Sequence, residues 1–331
     1  MSEKIIELQN LSTSFRTERG LLKAIDGVSF DVHKGEILGV VGESGCGKSV
    51  TSQTILRLYD EKYTAVYEGK VLLEGEDILQ IPYKKMQDIR GRRISMVFQD
   101  ALSSLNPVFT VGYQIREAIR IHQKVSKKQA NKMAIEMLSL VGIPAPERRV
   151  KQYPHELSGG MRQRVMIAIS LACKPRLLIA DEPTTALDVT IQAQIMDLIV
   201  QLNQQLDMGV ILITHDLGVV AETCSRVVVM YLGQIVEEAN VEDIFDNPKH
   251  PYTLGLIQSI PRLEGDRNKE LYTIKGTVPL LSQIPTGCRF AKRCPYAKER
   301  CNTQMPDLIP VSETQKVRCF RYLEGGGIRY A

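Results

Sequence analysis

The sequence predicts an α/β chain with an inserted helical segment and a small cysteine-rich C-terminal extension, on three observations. A short apolar run, Glu36 to Val41, leads into Gly42-Glu43-Ser44-Gly45-Cys46-Gly47-Lys48-Ser49, and a helical pattern from Val50 to Leu58 follows. A second apolar run, Leu177 to Ala180, ends on two adjacent carboxylates, Asp181 and Glu182. Residues 106 to 172 break the strand pattern with helical spacing, and Cys288, Cys294, Cys301 and Cys319 crowd the end of the chain.

The totals narrow the class. A chain of 331 residues with 44% apolar and 24% charged residues has the composition of a soluble globular protein with a sizeable core. Its length suits one large domain with a small one, or two domains. A net charge of only +4 leaves no nucleic-acid footprint. No apolar run approaches the roughly 18 to 20 residues of a membrane span, and Met1-Ser2-Glu3-Lys4 does not open a secretory leader. Any membrane role is therefore expected to come through a partner.

In chain order, residues 4 to 35 read as β-structure. Ile5, Ile6, Leu8 and Leu11 begin one strand, and Val28 to Val32 alternates as another. Phe15 between them could stack on a purine ring or be an ordinary half-buried aromatic. The stretch from Gly42 to Ser49 fits G-x-x-x-x-G-K-[ST]. Strand, glycine turn and helix start bring backbone N–H groups and the helix dipole onto phosphate oxygens. Lys48 would reach the outer phosphates, and the Ser49 hydroxyl would ligate Mg²⁺. The nucleotide is thus expected against Gly42, Ser44, Gly45, Cys46, Gly47, Lys48, Ser49 and Val50.

Gly69 to Gly75 is a short strand and turn, and Ile94 to Phe98 is a strand ending at Gln99. A polar amide at a strand's C-terminal tip sits where α/β sheets bind ligands, so Gln99 could ligate Mg²⁺ or hold the attacking water. In the insertion, Ser126 reads as an N-cap, and Ala130, Met133, Ala134, Met137, Leu138 and Val141 follow as a packing stripe stopped by Gly142 and Pro144. Leu157-Ser158-Gly159-Gly160 opens another helix, a second anion-binding geometry. Leu177 to Ala180 is a central strand; Asp181 at its end would hold Mg²⁺, and Glu182 would polarise the attacking water. Pro183, then Ala186-Leu187-Asp188, leads into a helix through Ile199. Val210 to Ile213 is a buried strand ending at Thr214-His215-Asp216, where His215 could touch the γ-phosphate or be structural. Val227 to Met230 and Gln234 to Val236 form a hairpin around Leu232-Gly233. Proline and asparagine thicken from 247 to 261, and a charged stretch, Glu264 to Glu270, follows. The domain boundary is expected near 245, giving 1–245 and 246–331, with the helical segment inserted at about 100–172.

The phosphate loop, Gln99, the Leu-Ser-Gly-Gly stretch, Asp181-Glu182 and His215 occur in that order. Together they resemble the ATP-binding subunits of ABC transporters over roughly residues 4 to 245. The signature stretch discriminates, because other P-loop ATPases lack it; Met161 departs from the glutamine that many members carry. The resemblance implies a P-loop NTPase, RecA-like fold and two such domains stacked head to tail. ATP on one loop would then be closed by Ser158 and Gly160 of the other, with Asp188 contacting across the dimer. It further implies Glu182 as general base, His215 as γ-phosphate sensor and Phe15 as the adenine stack. Gln99 and the helical insertion would face the coupling helices of two membrane-spanning permease subunits, supplied with solute by a binding protein. The second ATPase is expected to be a paralogue rather than a second copy, at the cytoplasmic face of the membrane.

His250-Pro251-Tyr252-Thr253 and Gly287-Cys288-Arg289-Phe290 through Arg293-Cys294-Pro295 resemble the extension of dipeptide, oligopeptide and nickel importer ATPases. The expected function is ATP-driven uptake of short peptides. A nickel importer of the same branch, or a soluble ABC-type ATPase acting on nucleic acid or ribosomes, is the alternative. Four thiols in a cytosolic chain suggest a metal rather than disulfides. The spacing x5, x6, x17 lacks the tight C-x₂₋₄-C knuckle usual for zinc. Iron–sulfur sites tolerate looser spacing and a Cys-Pro such as Cys294-Pro295. A [4Fe-4S] cluster is therefore preferred, Zn²⁺ second, and four unliganded thiols third.

Overall fold

The computed structural model describes residues 3–18, 20–99, 104–185, 187–260 and 272–323. The expected start of the insertion at 100–103, Ala186, and the stretch Glu264 to Glu270 lie outside the described residues. In chain order the strands are β1 (Lys4–Thr17), β2 (Gly20–His33), β3 (Ile37–Val41), β4 (Ala65–Leu73), β5 (Glu76–Asp77) and β6 (Ile94–Val97). They continue with β7 (Leu177–Asp181), β8 (Gly209–Ile213), β9 (Arg226–Tyr231), β10 (Gln234–Asn240), β11 (Ile309–Pro310) and β12 (Lys316–Val317). The chain folds as two compact units. One gathers the start of β1, Asp31–Ile37 and Leu73–Ile213; the other gathers Glu7–Phe30, Leu38–Leu72 and the described residues from Thr214 onward.

In the first unit β6, β7 and β8 are parallel neighbours, with Val97 opposite Ala180 and Asp181 opposite Ile213. Every residue of β7 and β8 is buried. An unbroken apolar run suits a strand covered on both faces, which is why Leu177 to Ala180 shows no alternation. The helices Val111–His122, Lys127–Leu140 and Gly159–Leu171 pack on one another. Ser126 caps the second: its hydroxyl accepts from Gln129 N–H, and the Gln129 amide oxygen accepts from Ser126 N–H. Ala130, Ala134 and Leu138 form that helix's buried line, whereas Met133 and Met137 are only half-buried. The stripe thus narrows to one residue per turn, because the small alanines let the neighbouring helices approach.

In the second unit β9 pairs parallel with β3 and antiparallel with β10. The β9–β10 hairpin turns at Leu232 and Gly233, whose φ values of 44° and 78° are the left-handed pair that a two-residue turn requires. β12 adds to β10 with Val317 opposite Glu237, and β11 adds to β12. Neither short strand was expected, because two residues carry no periodicity. β2, β1 and β4 form a separate sheet in that order. Val28, Phe30 and Val32 are buried and their neighbours less so, as the alternation predicts.

The C-terminal segment is anchored to β9 by aromatics. Tyr231 lies 4.7 Å from Tyr252 and 5.2 Å from Phe290 between ring centroids, and all three are essentially inaccessible. Beneath them Glu237, fully buried, accepts from the backbone N–H of Lys249 and His250 and from the Gln315 amide. Burial pushes the Glu237 carboxyl above its ordinary range, and these hydrogen bonds work against that shift. Among the described residues no helix is long and apolar enough to cross a membrane.

Candidate functional site

The phosphate loop lies between β3 and the helix Lys48–Ile55. Its conformation depends on glycine at two points. Gly42 has φ 150°, and a Cβ there would collide with the Met230 carbonyl and come within 2.8 Å of Cys46 Sγ. Gly47, at φ 104°, caps the helix; a Cβ would meet Ile25 at 2.9 Å and the Ala24 carbonyl at 3.3 Å. Gly233 N–H donates to the Cys46 carbonyl at 2.7 Å, tying the loop to the β9–β10 turn. Lys48 is buried, and its ammonium donates to the Gly42 carbonyl at 2.7 Å and the Glu43 carbonyl at 3.2 Å. Ser44 and Gly45 are exposed at the crest, while Ser49 and Val50 are half-buried in the first helical turn. Cys46 is buried, which raises its thiol pKa. The result is a cradle of backbone N–H groups around a fixed cation, suited to a polyphosphate.

Two other expected residues fall in the same unit. Thr214 N–H donates to the Val40 carbonyl, which sets the exposed His215 next to the end of β3. Phe15 is half-buried, with its ring edge-on to Tyr59 at 4.8 Å and 85°.

The first unit brings a second set together at the C-terminal ends of β6 and β7. Asp181 ends β7 and is almost fully buried. Glu182 follows with φ 47°, a conformation costly for a side chain with a Cβ, and its N–H donates to the Ile213 carbonyl. The Gln99 amide and the Thr185 hydroxyl both donate to Glu182 Oε2 at 3.0 Å. Strained backbone of this kind clusters at functional sites, which makes the acid beside the polar amide a candidate.

Ser158 caps the helix Gly159–Leu171, accepting from Met161 N–H at 3.3 Å, and is exposed. Gly160 approaches the first turn of the helix Val189–Leu206, where a Cβ would lie 2.7 Å from Ile191 Cγ2. Asp188 caps that helix by accepting from Ile191 N–H at 2.9 Å.

Cys288, Cys294, Cys301 and Cys319 all line one cavity of about 620 Å³, beside His250 and Phe290. None is in a disulfide. Burial, with neighbouring thiols adding to it, pushes Cys294 and Cys319 up to about 11. Among the described residues no three Cys, His, Asp or Glu side chains are close enough together to hold a single ion. The four thiols therefore share one cavity without forming a metal-holding arrangement among the described residues.

The sequence did not reveal what lies against the phosphate loop from the far end of the chain. Tyr252 Oη accepts from Glu43 N–H at 2.8 Å, and Arg293 holds the Glu43 carboxylate through two hydrogen bonds. The His-Pro-Tyr-Thr and Arg-Cys-Pro stretches stood out, but a contact across 250 residues has no local signal.

Comparison with known proteins agrees with this geometry. The model of the ABC transporter family matches residues 25–185, and that of the oligopeptide/dipeptide transporter C-terminal region matches residues 236–301. The chain is 51% identical to a probable peptide ABC transporter ATP-binding protein of Sinorhizobium fredii, covering 97% of this chain and 96% of that one. It is 52% identical to the dipeptide transport ATP-binding protein of Bacillus subtilis, covering 96% and 95%. Among solved structures, a dimeric bacterial ABC transporter cassette aligns with a TM-score of 0.63 at 28% identity, over 71% of this chain and 98% of that one. The same cassette has been solved in a post-hydrolysis state with ADP and Pi, and aligns equally well.

Proposed function

We infer the function of this chain from its membership: it belongs to the ABC transporter family, in the branch whose ATP-binding subunits carry the oligopeptide/dipeptide C-terminal region. It is an ABC ATPase of a peptide importer, and ATP hydrolysis drives the uptake. The observation that carries this reading is the buried Lys48 held inside a glycine cradle, in a chain that also bears the peptide-branch C-terminal region.

The residue roles follow from chemistry. Backbone N–H groups from Gly42 to Val50 and the Lys48 ammonium bind the β- and γ-phosphates, which spreads the developing charge. Ser49, Gln99 and Asp181 supply the oxygens that a magnesium ion prefers. Glu182 takes the proton of the attacking water, and the Gln99 and Thr185 hydrogen bonds fix its carboxylate for that task. His215 contacts the γ-phosphate, and Phe15 stacks on the adenine. Ser158 and Gly160 close the nucleotide bound to a second ATPase subunit, with Asp188 contacting across the pair. Binding favours the closed pair, and loss of the γ-phosphate contacts releases it. The second ATPase is a paralogue, and the pair sits beneath two permease subunits on the cytoplasmic face, fed by a solute-binding protein. The functional division falls near 245, where nucleotide-handling residues give way to the thiol-bearing segment.

Cys288, Cys294, Cys301 and Cys319 hold a [4Fe-4S] cluster, which supplies a rigid cross-link to a segment with little core of its own. Burial raises the Cys288, Cys294 and Cys319 thiols, and a bound cation would offset the charge they take on when deprotonated. Anaerobically purified protein should be brown, with iron and sulfide in equal amounts. A colourless preparation with stoichiometric zinc would replace the cluster by Zn²⁺. The ATPase reading is tested by phosphate release from the assembled transporter: Lys48→Ala should abolish it, and retention would overturn the assignment.

A further inference from the structure

Glu43 lies inside the phosphate loop but points away from its crest, and each of its polar groups is held. Arg293 Nη1 donates to Glu43 Oε2 at 2.6 Å, and Nη2 donates to Oε1 at 3.0 Å, the parallel fork that arginine forms with a carboxylate. Tyr252 Oη accepts from the Glu43 N–H. The Glu43 carbonyl accepts from the Lys48 ammonium and from Cys46 N–H. Displacing Glu43 therefore displaces one of the carbonyls that hold Lys48.

The holder is itself fixed. The Arg293 side chain is only 5% exposed, and Tyr231 Oη and the carbonyls of Ile274 and Lys275 accept its remaining hydrogen bonds. Tyr252 is buried in the aromatic cluster with Tyr231 and Phe290. A second tie runs parallel to the first. Arg289 donates to Asp26 and to the Leu232 carbonyl, on the turn whose Gly233 packs against Gly47. Arg293 and Arg289 are each one peptide bond from a cavity cysteine, Cys294 and Cys288. The segment that builds the thiol cavity is thus the segment that grips the nucleotide loop.

We propose that Arg293 is a positioning residue for nucleotide binding: through Glu43 it preorganises the phosphate loop and Lys48, so the thiol-bearing segment sets the affinity for ATP. This rests on the ATPase reading above. An ion pair between two exposed side chains would contribute little, but here a buried arginine meets the loop's own carboxylate. Binding then gains because less of the loop has to be ordered when the phosphates arrive.

The test is equilibrium binding of a non-hydrolysable ATP analogue to the full-length chain, with Tm recorded in parallel. Glu43→Gln and Arg293→Gln should each weaken binding about tenfold, equivalent to about 1.4 kcal/mol. The double variant should be no weaker than either single one, because both remove the same fork. Arg293→Lys keeps the charge but loses the fork and should fall between. Unchanged affinity in Glu43→Gln overturns the proposal, even if Tm falls; so do additive losses in the double variant. Lys48→Ala separates the two readings. If the parent binds the analogue, Lys48→Ala does not, and Glu43→Gln matches the parent, only this proposal fails. If the parent itself does not bind, the ATPase reading fails first.

Discussion

Replacing Glu182 by glutamine separates chemistry from architecture. The hydrogen bonds from Gln99 and from Thr185 end on one carboxylate oxygen, Oε2, and a glutamine retains an oxygen there. The strained backbone, φ 47°, is the same in both variants and cancels. The fold should therefore change by less than about 0.5 kcal/mol, and nucleotide binding should persist. An amide cannot take a proton from water, so the general-base contribution of roughly 10² to 10⁴ in rate is lost, equal to about 3 to 5 kcal/mol of barrier. The assay is steady-state phosphate release by the assembled transporter, with ATP affinity and Tm measured on the same preparations. Turnover within about a factor of two of the parent would refute Glu182 as the base. A loss of ATP binding would refute the claim that it acts only on the chemical step.

Three further outcomes are expected. Gly42→Ala forces a Cβ against the Met230 carbonyl in a left-handed backbone, so ATP binding should collapse while far-ultraviolet circular dichroism stays that of the parent; retained affinity would show that the loop tolerates remodelling. Glu237→Gln presents an amide N–H₂ to one of the buried backbone N–H groups that the carboxylate now satisfies, and should cost about 1–3 kcal/mol in urea unfolding; no change would mean that water enters the site. Burial raises the Glu74 carboxyl's pKa, but the Arg93 and Arg176 guanidiniums outweigh it and hold the pKa below the ordinary 4.5. Its folded value is depressed, so its contribution is present above 4.5 and lost as pH falls through the lower folded value. Glu74→Gln should flatten that acid limb of the Tm–pH curve, and an unchanged limb would exclude Glu74 as a source.

What could be read in the sequence was local. The phosphate loop was legible because glycine spacing and a following lysine are demanded by backbone geometry within eight residues, and Gly42 and Gly47 do adopt left-handed φ. The Ser126 cap and the helix start at Ser158 were legible for the same reason, since a cap is a contact across three residues. The two apolar runs that became β7 and β8 announced full burial without revealing their neighbours. The methionine stripe was read too wide, because helical spacing alone does not say how closely the neighbouring helices pack around Ala130 and Ala134. The grip of Arg293 and Tyr252 on Glu43 left no trace, since an arginine beside a cysteine looks like any surface cation. β11 and β12 were equally silent, because a pair of residues becomes a strand only when β10 offers an edge.

The claim that ATP turnover at Lys48 powers peptide uptake is tested most directly in sealed membrane vesicles holding this chain with its permease subunits and binding protein. Accumulation of a radiolabelled oligopeptide should require ATP on the side that carries this chain and should stop with Lys48→Ala. Uptake that proceeds equally well with that variant, or without ATP, would contradict it.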